Sequence, residues 1–493
     1  MGIIQRQGIR NTAITYVGII IGFVNLLIIQ PHFLTTEEVG LTRVLFSFSM
    51  LISTFLPLGI QNITIKYFPF YKNPEARHHG FFGFMILFPL AGFILFSLVI
   101  LGFRDFIISH YIVNSKLFTE YFNFVFPLTF FLSFTGVLTS YSTSLFRTSV
   151  PAFINDIAVR ILSVAVVSLY FIKLVSLSQF VFLFVSVYGV QALFLLIYVF
   201  RIDKPGIMPD KIKFTREEIG GMMRFGILVS IAALSSIGLK EVSVILIGQY
   251  LPLASAGIYA IAAFIPLVIE APLNALDKIV QPKASDAWAK NNLEEIKTIY
   301  VKSSRYLLLI GGLLFLGINL NIESLMKLLP QNYSAGIPVV FIISIGSIFN
   351  LATGMNDAII FYSSKYVSGI YLLLIMFILA VTLNVILIPQ FGLEGAAIAT
   401  ASASFIYNVM KYFFIRKNFS LQPFDLKTIK LVIVVVVVWF TTKLVPAATF
   451  PLADIAIRSL IITSLYSGII YFWKIVPELE PVLINYLKKI AGR

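Results

Sequence analysis

The chain of 493 residues contains no cysteine, only four histidines and only three tryptophans. The absence of cysteine excludes disulfide bonds, thiolate metal sites and a cysteine nucleophile. Two of the histidines are adjacent, at His78 and His79, but no further ligand types lie around them at the spacing of a zinc site. The sequence therefore predicts neither a metal site nor a bound cofactor.

Charged residues are also scarce, at 12% of the chain, while 58% of the residues are hydrophobic. Soluble domains carry about 25% charged residues, and no polar stretch here approaches the ~50 residues of a small domain. The composition therefore predicts an all-α polytopic membrane protein. The net charge of +14 is interpreted as an excess of Lys and Arg in cytoplasmic loops, and no nucleic-acid partner is predicted.

The sequence signals of an enzyme are missing as well. Membrane enzymes that act on prenyl phosphates need acidic clusters to hold divalent ions, whereas the Glu pairs of this chain lie in Lys-flanked helical segments. No Gly-rich phosphate loop ending in Lys-Ser/Thr is present. We therefore predict no catalytic residues, no ATP-driven motor and no enzymatic activity.

Hydropathy predicts fourteen membrane spans, because a helix crosses the hydrocarbon core with about 20 apolar residues. No small-residue cleavage site follows the first apolar run, which is interpreted as an uncleaved span and not as a signal peptide. The predicted spans are 12–33, 41–65, 80–102, 119–146, 153–173, 179–200, 223–250, 255–277, 304–322, 337–362, 367–389, 394–415, 429–446 and 452–474.

The distribution of basic residues predicts the orientation. If the N-terminus is cytoplasmic, the inner segments hold 28 of the 37 Lys and Arg residues and the outer segments hold seven. Such an excess marks the cytoplasmic side, so both termini and the loops 201–222 and 278–303 are predicted to be cytoplasmic. Apolar residues at helical spacing in the second loop predict an amphipathic helix on the membrane surface.

A weak internal repeat divides the chain. Residues 34–69 resemble residues 251–282, with Gly40 aligned to Gly257, and each stretch lies at the second span of one half. Two halves of equal orientation imply a pseudo-two-fold axis along the membrane normal. The predicted units are an N-terminal six-helix bundle at 1–200, a cytoplasmic linker at 201–222, a C-terminal six-helix bundle at 223–415, two additional transmembrane helices at 429–474 and a cytoplasmic tail at 475–493.

Charges inside spans are costly and are by default candidates for function. An α-helix rises about 1.5 Å per residue. Lys240 therefore lies ~22 Å along its helix from Phe225, and Glu270 lies ~21 Å along the next span from Ala256. Lys240 is either a ligand facing a cavity or half of a buried ion pair. Glu270 is either an ion-coupling carboxyl or a protonated side chain that only packs, since apolar surroundings disfavour its charged form. Glu241 points ~100° away from Lys240.

Two further charges lie nearer to the ends of predicted spans. Arg160 is ~10 Å inside the fifth predicted span, 153–173. Its side chain could extend to the cytoplasm, pair with Asp156 one turn earlier, or face a cavity. Asp357 lies near the cytoplasmic end of the tenth predicted span, 337–362. Prolines inside spans predict kinks; they are Pro57, Pro89, Pro127, Pro266 and Pro272.

Four stretches resemble the bacterial polysaccharide-biosynthesis proteins, the Wzx-type oligosaccharide flippases of the multidrug/oligosaccharidyl-lipid/polysaccharide (MOP) exporter superfamily. They are GIRNTAITYVGIIIGFVNLLIIQPHFLTTEEVGLTRVLFSFSMLISTFLPLGIQNITIKYFPFY near the N-terminus, GIYAIAAFIPLVIEAPLNALDKIVQP at 257–282, LLPQNYSAGIPVV at 328–340 and FGLEGAAIATASASFIYNV at 391–409.

This resemblance implies two six-helix bundles in a V around a central cavity, with two C-terminal helices added. It implies that an undecaprenyl-pyrophosphate-linked oligosaccharide, such as an O-antigen, capsule or exopolysaccharide repeat unit, moves from the inner to the outer leaflet by alternating access. The implied setting is the bacterial inner membrane, with membrane lipids and glycan polymerase machinery as contacts. Cavity cations would hold the pyrophosphate; the candidates are Lys240, Arg160, Arg43 and Lys66. Glu270, Glu241 and Asp357 are candidates for coupling to H⁺ or Na⁺.

Two alternatives remain open at this point. A multidrug/cation antiporter of the same fold would favour acidic residues in the N-terminal half, yet helices 1 to 3 contain no deep Asp or Glu. A membrane glycan polymerase or ligase would be expected to carry a large outer loop, and the predicted outer loops are short.

Overall fold

The computed structural model describes residues 3–73, 75–206 and 215–475, and these ranges contain helices and no strand. The first thirteen α-helices are α1 (Ile3–Val24), α2 (Gln30–Phe33), α3 (Thr36–Phe55), α4 (Ile60–Tyr71), α5 (Phe81–Gly102), α6 (Arg104–Tyr111), α7 (Lys116–Tyr121), α8 (Val125–Ser144), α9 (Ser149–Phe153), α10 (Val159–Phe171), α11 (Leu177–Ile202), α12 (Arg216–Tyr250) and α13 (Leu253–Phe264). They are followed by α14 (Leu267–Ala289), α15 (Leu293–Asn319), α16 (Ile322–Met326), α17 (Ile337–Ala352), α18 (Asn356–Phe361), α19 (Tyr366–Phe419), α20 (Leu426–Lys443) and α21 (Pro451–Phe472).

The helices confirm a multi-pass membrane protein of all-α class. Among the described residues, 11 helices are long and apolar enough to span a membrane, or up to 12 if one bent pair counts as a span. Two of the predicted spans fall within α19, whose 54 residues are broken at Gly392 (φ 59°, ψ −133°). The predicted count of fourteen is not confirmed by these helices and stays a prediction.

Two compact units make up the chain. Unit 1 comprises Met1–Ile261 and Ala380–Ala396, and unit 2 comprises Ala262–Leu379 and Ala397–Arg493. Each unit is described by itself below.

Helix starts in unit 1 are fixed by side-chain caps. The Thr35 hydroxyl accepts the Glu38 backbone N–H, and the Glu38 carboxylate accepts the Thr35 N–H, so α3 begins with a capping box. Thr215 and Glu218 form the same arrangement at the start of α12. The predicted linker 201–222 therefore includes the first turns of a helix at its C-terminal end.

The glycines aligned by the internal repeat pack against each other. A Cβ atom added at Gly40 would lie 2.0 Å from the carbonyl oxygen of Leu253, and one added at Gly257 would lie 2.2 Å from that of Thr36. Thr36 and Leu253 are also aligned with each other in the repeat. The contact is therefore reciprocal, as expected of equivalent residues beside a two-fold axis, and only glycine lets the two backbones approach so closely.

Breaks in the helices occur at two of the five prolines predicted to kink a span. Pro57 lies in the turn between α3 and α4, where Leu58 and Gly59 have φ of 43° and 72°. Pro266 lies between α13 and α14, which are bent by 48°. Pro127 falls in the first turn of α8, where a missing N–H costs nothing. Pro89 and Pro272 lie inside helices that run through them.

The predicted histidine pair lies in a left-handed turn of unit 1. Arg77, His78 and His79 have φ between 49° and 52°, a conformation that costs roughly 1–2 kcal/mol for each L-residue. The buried His78 ring accepts the Asn73 N–H at Nδ1 (3.1 Å), and its Nε2 lies 3.1 Å from the Asp203 carboxylate. These contacts hold the turn between α4 and α5 against the end of α11.

Unit 2 is built around α15, which packs against α14, α17, α20 and α21. The Tyr466 hydroxyl on α21 donates to the Leu309 carbonyl (2.8 Å), and Arg305 forms an ion pair with Asp425 before α20. Because α15 runs unbroken from Leu293 to Asn319, the prediction of a separate surface helix in 278–303 is wrong. The apolar periodicity there belongs to the end of α14 and the first turns of α15.

Candidate functional site

Lys240 lies on α12, and its side chain is exposed. Among the described residues Lys240 forms no ion pair and no hydrogen bond. These residues therefore contain no partner for the buried ion pair that was one of the two interpretations of Lys240. The neighbouring Glu241 turns to another side of the helix, where its Oε2 accepts the Ser47 hydroxyl of α3 at 2.6 Å. The structure thus separates the two adjacent charges, and the cation of the pair is the one left accessible.

Arg160 lies on α10 against a glycine face of α1. A Cβ atom at Gly18 would lie 2.8 Å from its Nη1, and one at Gly22 would lie 3.0 Å from its Nε. The Nη1 atom is buried and has no hydrogen-bond partner among the residues that the structure describes. The Asp156 carboxylate accepts the Thr15 hydroxyl (3.2 Å) and forms no ion pair with Arg160 within the ranges described. A guanidinium with an unsatisfied donor is therefore held beside α1.

A π-helical turn adjoins each of the two helices in this contact, α1 and α10. One turn covers Asn25–Ile29 after α1, and the other covers Ile154–Ala158 before α10. Such turns widen a helix by one residue and are frequent at functional sites. The second one contains Asp156 and Asn155, whose side chain bonds Thr139 and Gln191 on neighbouring helices.

The other two predicted cations of unit 1 have partners. The Arg43 guanidinium on α3 donates to Gln30 Oε1 at 3.2 Å. The exposed Lys66 ammonium on α4 lies 4.0 Å from the ring centroid of Phe225 and 5.1 Å from that of Tyr67, which are cation–π distances. All four predicted cations therefore lie in unit 1, on α3, α4, α10 and α12.

The predicted carboxylates Asp357 and Glu270 lie in unit 2, and a cation that the sequence analysis overlooked lies with them. The Lys411 ammonium on α19 is 3.1 and 3.0 Å from the two carboxylate oxygens of Asp357 on α18. Its side chain is 1% exposed, whereas that of Asp357 is 51% exposed. Glu270 on α14 interacts electrostatically with the same ammonium.

Polar side chains surround this pair. The Tyr407 hydroxyl donates to Asp357 Oδ1 (3.0 Å), and the Tyr407 ring centroid lies 4.0 Å from the Lys411 ammonium. Asn408, one residue further along α19, accepts the Thr353 hydroxyl at 3.0 Å. Lys411 lies four residues from the end of the predicted span 394–415, a position from which a lysine side chain can reach the cytoplasm. Its spacing of four from Tyr407 was the available signal that it shares a helix face with a polar residue.

Comparisons with known proteins give a fold and no family. No family model matches the chain. An uncharacterised membrane protein of Methanocaldococcus jannaschii is 24% identical in an alignment of 425 positions, which covers 80% of this chain and 81% of the relative.

Three solved structures are similar in fold. The lipid II flippase MurJ in an inward closed conformation has a TM-score of 0.75 and 14% identity, covering 94% of this chain and 99% of MurJ. The chain has a MurJ-like fold. An inward-facing MATE family multidrug resistance transporter of the MOP superfamily has a TM-score of 0.65 and 14% identity, covering 82% of this chain and 98% of the transporter. A MOP superfamily transporter from Pyrococcus furiosus, described as having a binding pocket of reverse polarity, has a TM-score of 0.52 and 15% identity, with 83% and 93% covered.

These likenesses confirm the predicted fold class, an all-α membrane protein of the MurJ and MATE type. The named neighbours are a flippase and transporters, not enzymes. The narrower resemblance to Wzx-type flippases, the substrate and the roles of the site residues stay predictions.

Proposed function

We propose that this protein is an alternating-access flippase that moves an undecaprenyl-pyrophosphate-linked oligosaccharide from the inner to the outer leaflet. The observation that carries the proposal is the exposed Lys240 ammonium on a membrane-spanning helix, with no ion-pair partner among the described residues. An uncompensated cation at such a position is costly unless it serves a ligand. The MurJ-like fold supports the same class of transport, because MurJ is named a lipid II flippase.

The chemistry of the substrate matches the charges of unit 1. A pyrophosphate carries about two negative charges and does not cross the apolar core unaided. Lys240 supplies a point charge, and the Nη1 donor of Arg160 has no hydrogen-bond partner in the described part of the chain. Charge-assisted hydrogen bonds from both groups would replace the water that the pyrophosphate loses. Arg43 and Lys66 are weaker candidates, because both already contact side chains of the protein.

A multidrug/cation antiporter is the second candidate function. The MATE likeness favours it, and so does Asp156, a carboxylate on the fifth predicted span that bonds Thr15 of the first. An organic cation would be repelled by Lys240 and Arg160, whereas an anionic lipid would be attracted by them. The sign of the cargo therefore separates the two functions.

Substitution of Lys240 tests the cargo directly. In proteoliposomes, Lys240→Ala should reduce the flipping of a fluorescent polyprenyl-pyrophosphate oligosaccharide at least about tenfold, because a hydrogen bond to a charged group contributes ~1.5–3 kcal/mol. Lys240→Arg should retain part of the activity, since the charge is kept. The matched control is Lys327→Ala, at an exposed lysine directly after α16. Normal flipping by correctly inserted Lys240→Ala protein would overturn the proposal.

Cysteine labelling tests the proposed orientation, in which both termini are cytoplasmic. The chain has no cysteine, so single substitutions give no background. Lys290→Cys, between α14 and α15, should be labelled by a membrane-impermeant maleimide only after the cells are opened. Leu328→Cys, which follows α16, should be labelled in intact cells. The reverse pattern would invert the topology.

A further inference from the structure

The Asp357 site of unit 2 holds more acidic than basic charge. Asp357, Glu270 and Asp277 come from α18 and α14, and Asp277 interacts electrostatically with Asp357. Within the described residues, Lys411 from α19 is the cation that contacts Asp357. Asp357 and Glu270 act on its ammonium and Asp277 acts on Asp357, so the site can take up further positive charge.

The ammonium occupies the position that a metal ion would need. It lies within 3.1 Å of both Asp357 oxygens, and the Tyr407 hydroxyl takes up further acceptor capacity at Oδ1. A bound alkali-metal ion needs several oxygen ligands at once, whereas a proton needs a single oxygen. Since Lys411 is 1% exposed and its charge needs a partner, the ammonium does not leave Asp357 for water.

A second observation points to the same place from another helix. The Tyr300 hydroxyl on α15 is buried and has no hydrogen-bond partner within residues 3–73, 75–206 and 215–475. Tyr300 packs with Ile359 and Ile360 of α18 and interacts electrostatically with Asp357. The titratable groups that act on the Asp357 carboxylate or on its ammonium therefore come from α14, α15 and α19. They are Glu270, Asp277, Tyr300, Tyr407 and Lys411.

We infer that Lys411 is the built-in cation of this carboxylate site, so that the site exchanges protons and excludes free alkali-metal ions. Lys411 is then a specificity-determining residue for the coupling ion of transport. A proton on Asp357 removes the attraction that holds the ammonium there, and Glu270 is the carboxylate to which the ammonium can turn. This exchange couples protonation to α14 and α18. The inference rests on the alternating-access transport proposed above, with Glu270 and Asp357 as the carboxylates predicted to couple it to an ion, but its test needs no transport substrate.

Thermal unfolding of the purified protein, followed by tryptophan fluorescence, measures ion binding because a ligand of the folded state raises the midpoint. For the wild type, replacing choline by Na⁺ or by K⁺ at constant ionic strength should leave the midpoint unchanged. Lys411→Met removes the charge at similar volume and frees the Asp357 oxygens, so Na⁺ should raise its midpoint by about 2 °C or more. The matched control Lys411→Arg keeps the cation and should stay insensitive. Adding Asp357→Asn to Lys411→Met should abolish the sodium effect.

Two results would overturn the inference. One is stabilisation of the wild type by Na⁺ or K⁺ relative to choline, and the other is a folded Lys411→Met variant that ignores sodium. If Lys411→Met does not fold, binding of radioactive ²²Na⁺ to the wild-type protein decides. Stoichiometric binding that Asp357→Asn removes would refute the inference, and no such binding would support it. Neither result depends on the flipping assay for Lys240, so failure of the proposed substrate remains distinguishable.

Discussion

Gly40→Ala is expected to destabilise the protein by about 3 kcal/mol or more, although it adds a single methyl group. The new carbon would lie 2.0 Å from the Leu253 carbonyl oxygen, and Gly257→Ala would place one 2.2 Å from that of Thr36. Ordinary contacts of this kind begin near 3.4 Å. Both obstacles are backbone atoms, so no side chain can rotate away. The helices would have to separate by more than about 1 Å, which disrupts the close packing of their neighbours.

Gly317→Ala is the matched control for this substitution. Gly317 lies inside α15, and nothing lies within 4 Å of an added Cβ. Alanine is a better helix former than glycine by about 1 kcal/mol, so this variant should be as stable as the wild type or more stable. Unfolding midpoints and size-exclusion profiles of detergent-solubilised protein give the comparison. Equal behaviour of Gly40→Ala and Gly317→Ala would contradict the tight crossing.

Asp425→Asn should be similarly harmful, at a cost of about 3–5 kcal/mol. Asp425 forms an ion pair with Arg305, which is 7% exposed, and the substitution removes this negative charge from beside the buried guanidinium. Asp425 also caps α20 by accepting the Thr428 N–H at 2.8 Å; asparagine retains this cap. The measured loss should therefore report the charge alone.

A double variant separates this charge effect from packing. Arg305→Met together with Asp425→Asn removes both charges, and its stability should return to within about 1–2 kcal/mol of the wild type. Trp439 on α20, which stacks with Phe315 and Phe341, is a local fluorescence reporter of the attachment of α20. A double variant as unstable as Asp425→Asn would show that the ion pair is not the cause.

The pH dependence of the same pair has a defined sign. Burial raises the pKa of Asp425. The hydrogen bonds from Thr428 and the hydrogen bond and charge of Arg305 together lower this pKa by more, so it lies below its ordinary value. A carboxyl with a lowered folded pKa stabilises the fold fully above its unfolded pKa of about 3.9 and loses this contribution as pH falls through the folded value. The cost of Asp425→Asn should therefore be constant between about pH 5 and pH 8.

Hydropathy predicted most membrane helices because every backbone polar group in lipid must be bonded within its own segment. Hydropathy could not predict where one helix ends and the next begins, because a single residue decides whether a helix continues or breaks. The break in α19 needs the φ of Gly392, and α15 runs from a polar stretch into the membrane without a break. Pro272 shows the same limit, because α14 passes through it.

The candidate sites show where sequence reasoning stopped. A position inside a span singles out Lys240 and Glu270, since any charge there is unusual. Lys411 lies close to a span end, where exposed and buried lysines look alike in sequence. Its burial depends on Asp357, which tertiary packing brings beside it, in addition to Tyr407 one turn earlier on the same helix. The spacing of four between Gly18 and Gly22 predicts a glycine face on one side of α1. The sequence does not predict that the helix carrying Arg160 packs against this face.

The reciprocal glycine contact also bears on how the protein is made. Gly40 and Gly257 are 217 residues apart, so at ~5–20 residues per second the ribosome needs roughly 10–45 s to supply the second glycine after the first. During that interval α3 resides in the membrane with a narrow bare groove where α13 will later dock. A helix with any larger residue at the contact could not approach the Gly40 backbone as closely as α13 does at Gly257. The partner that fits is a glycine still to be synthesised, and this favours the native pairing over early misassembly.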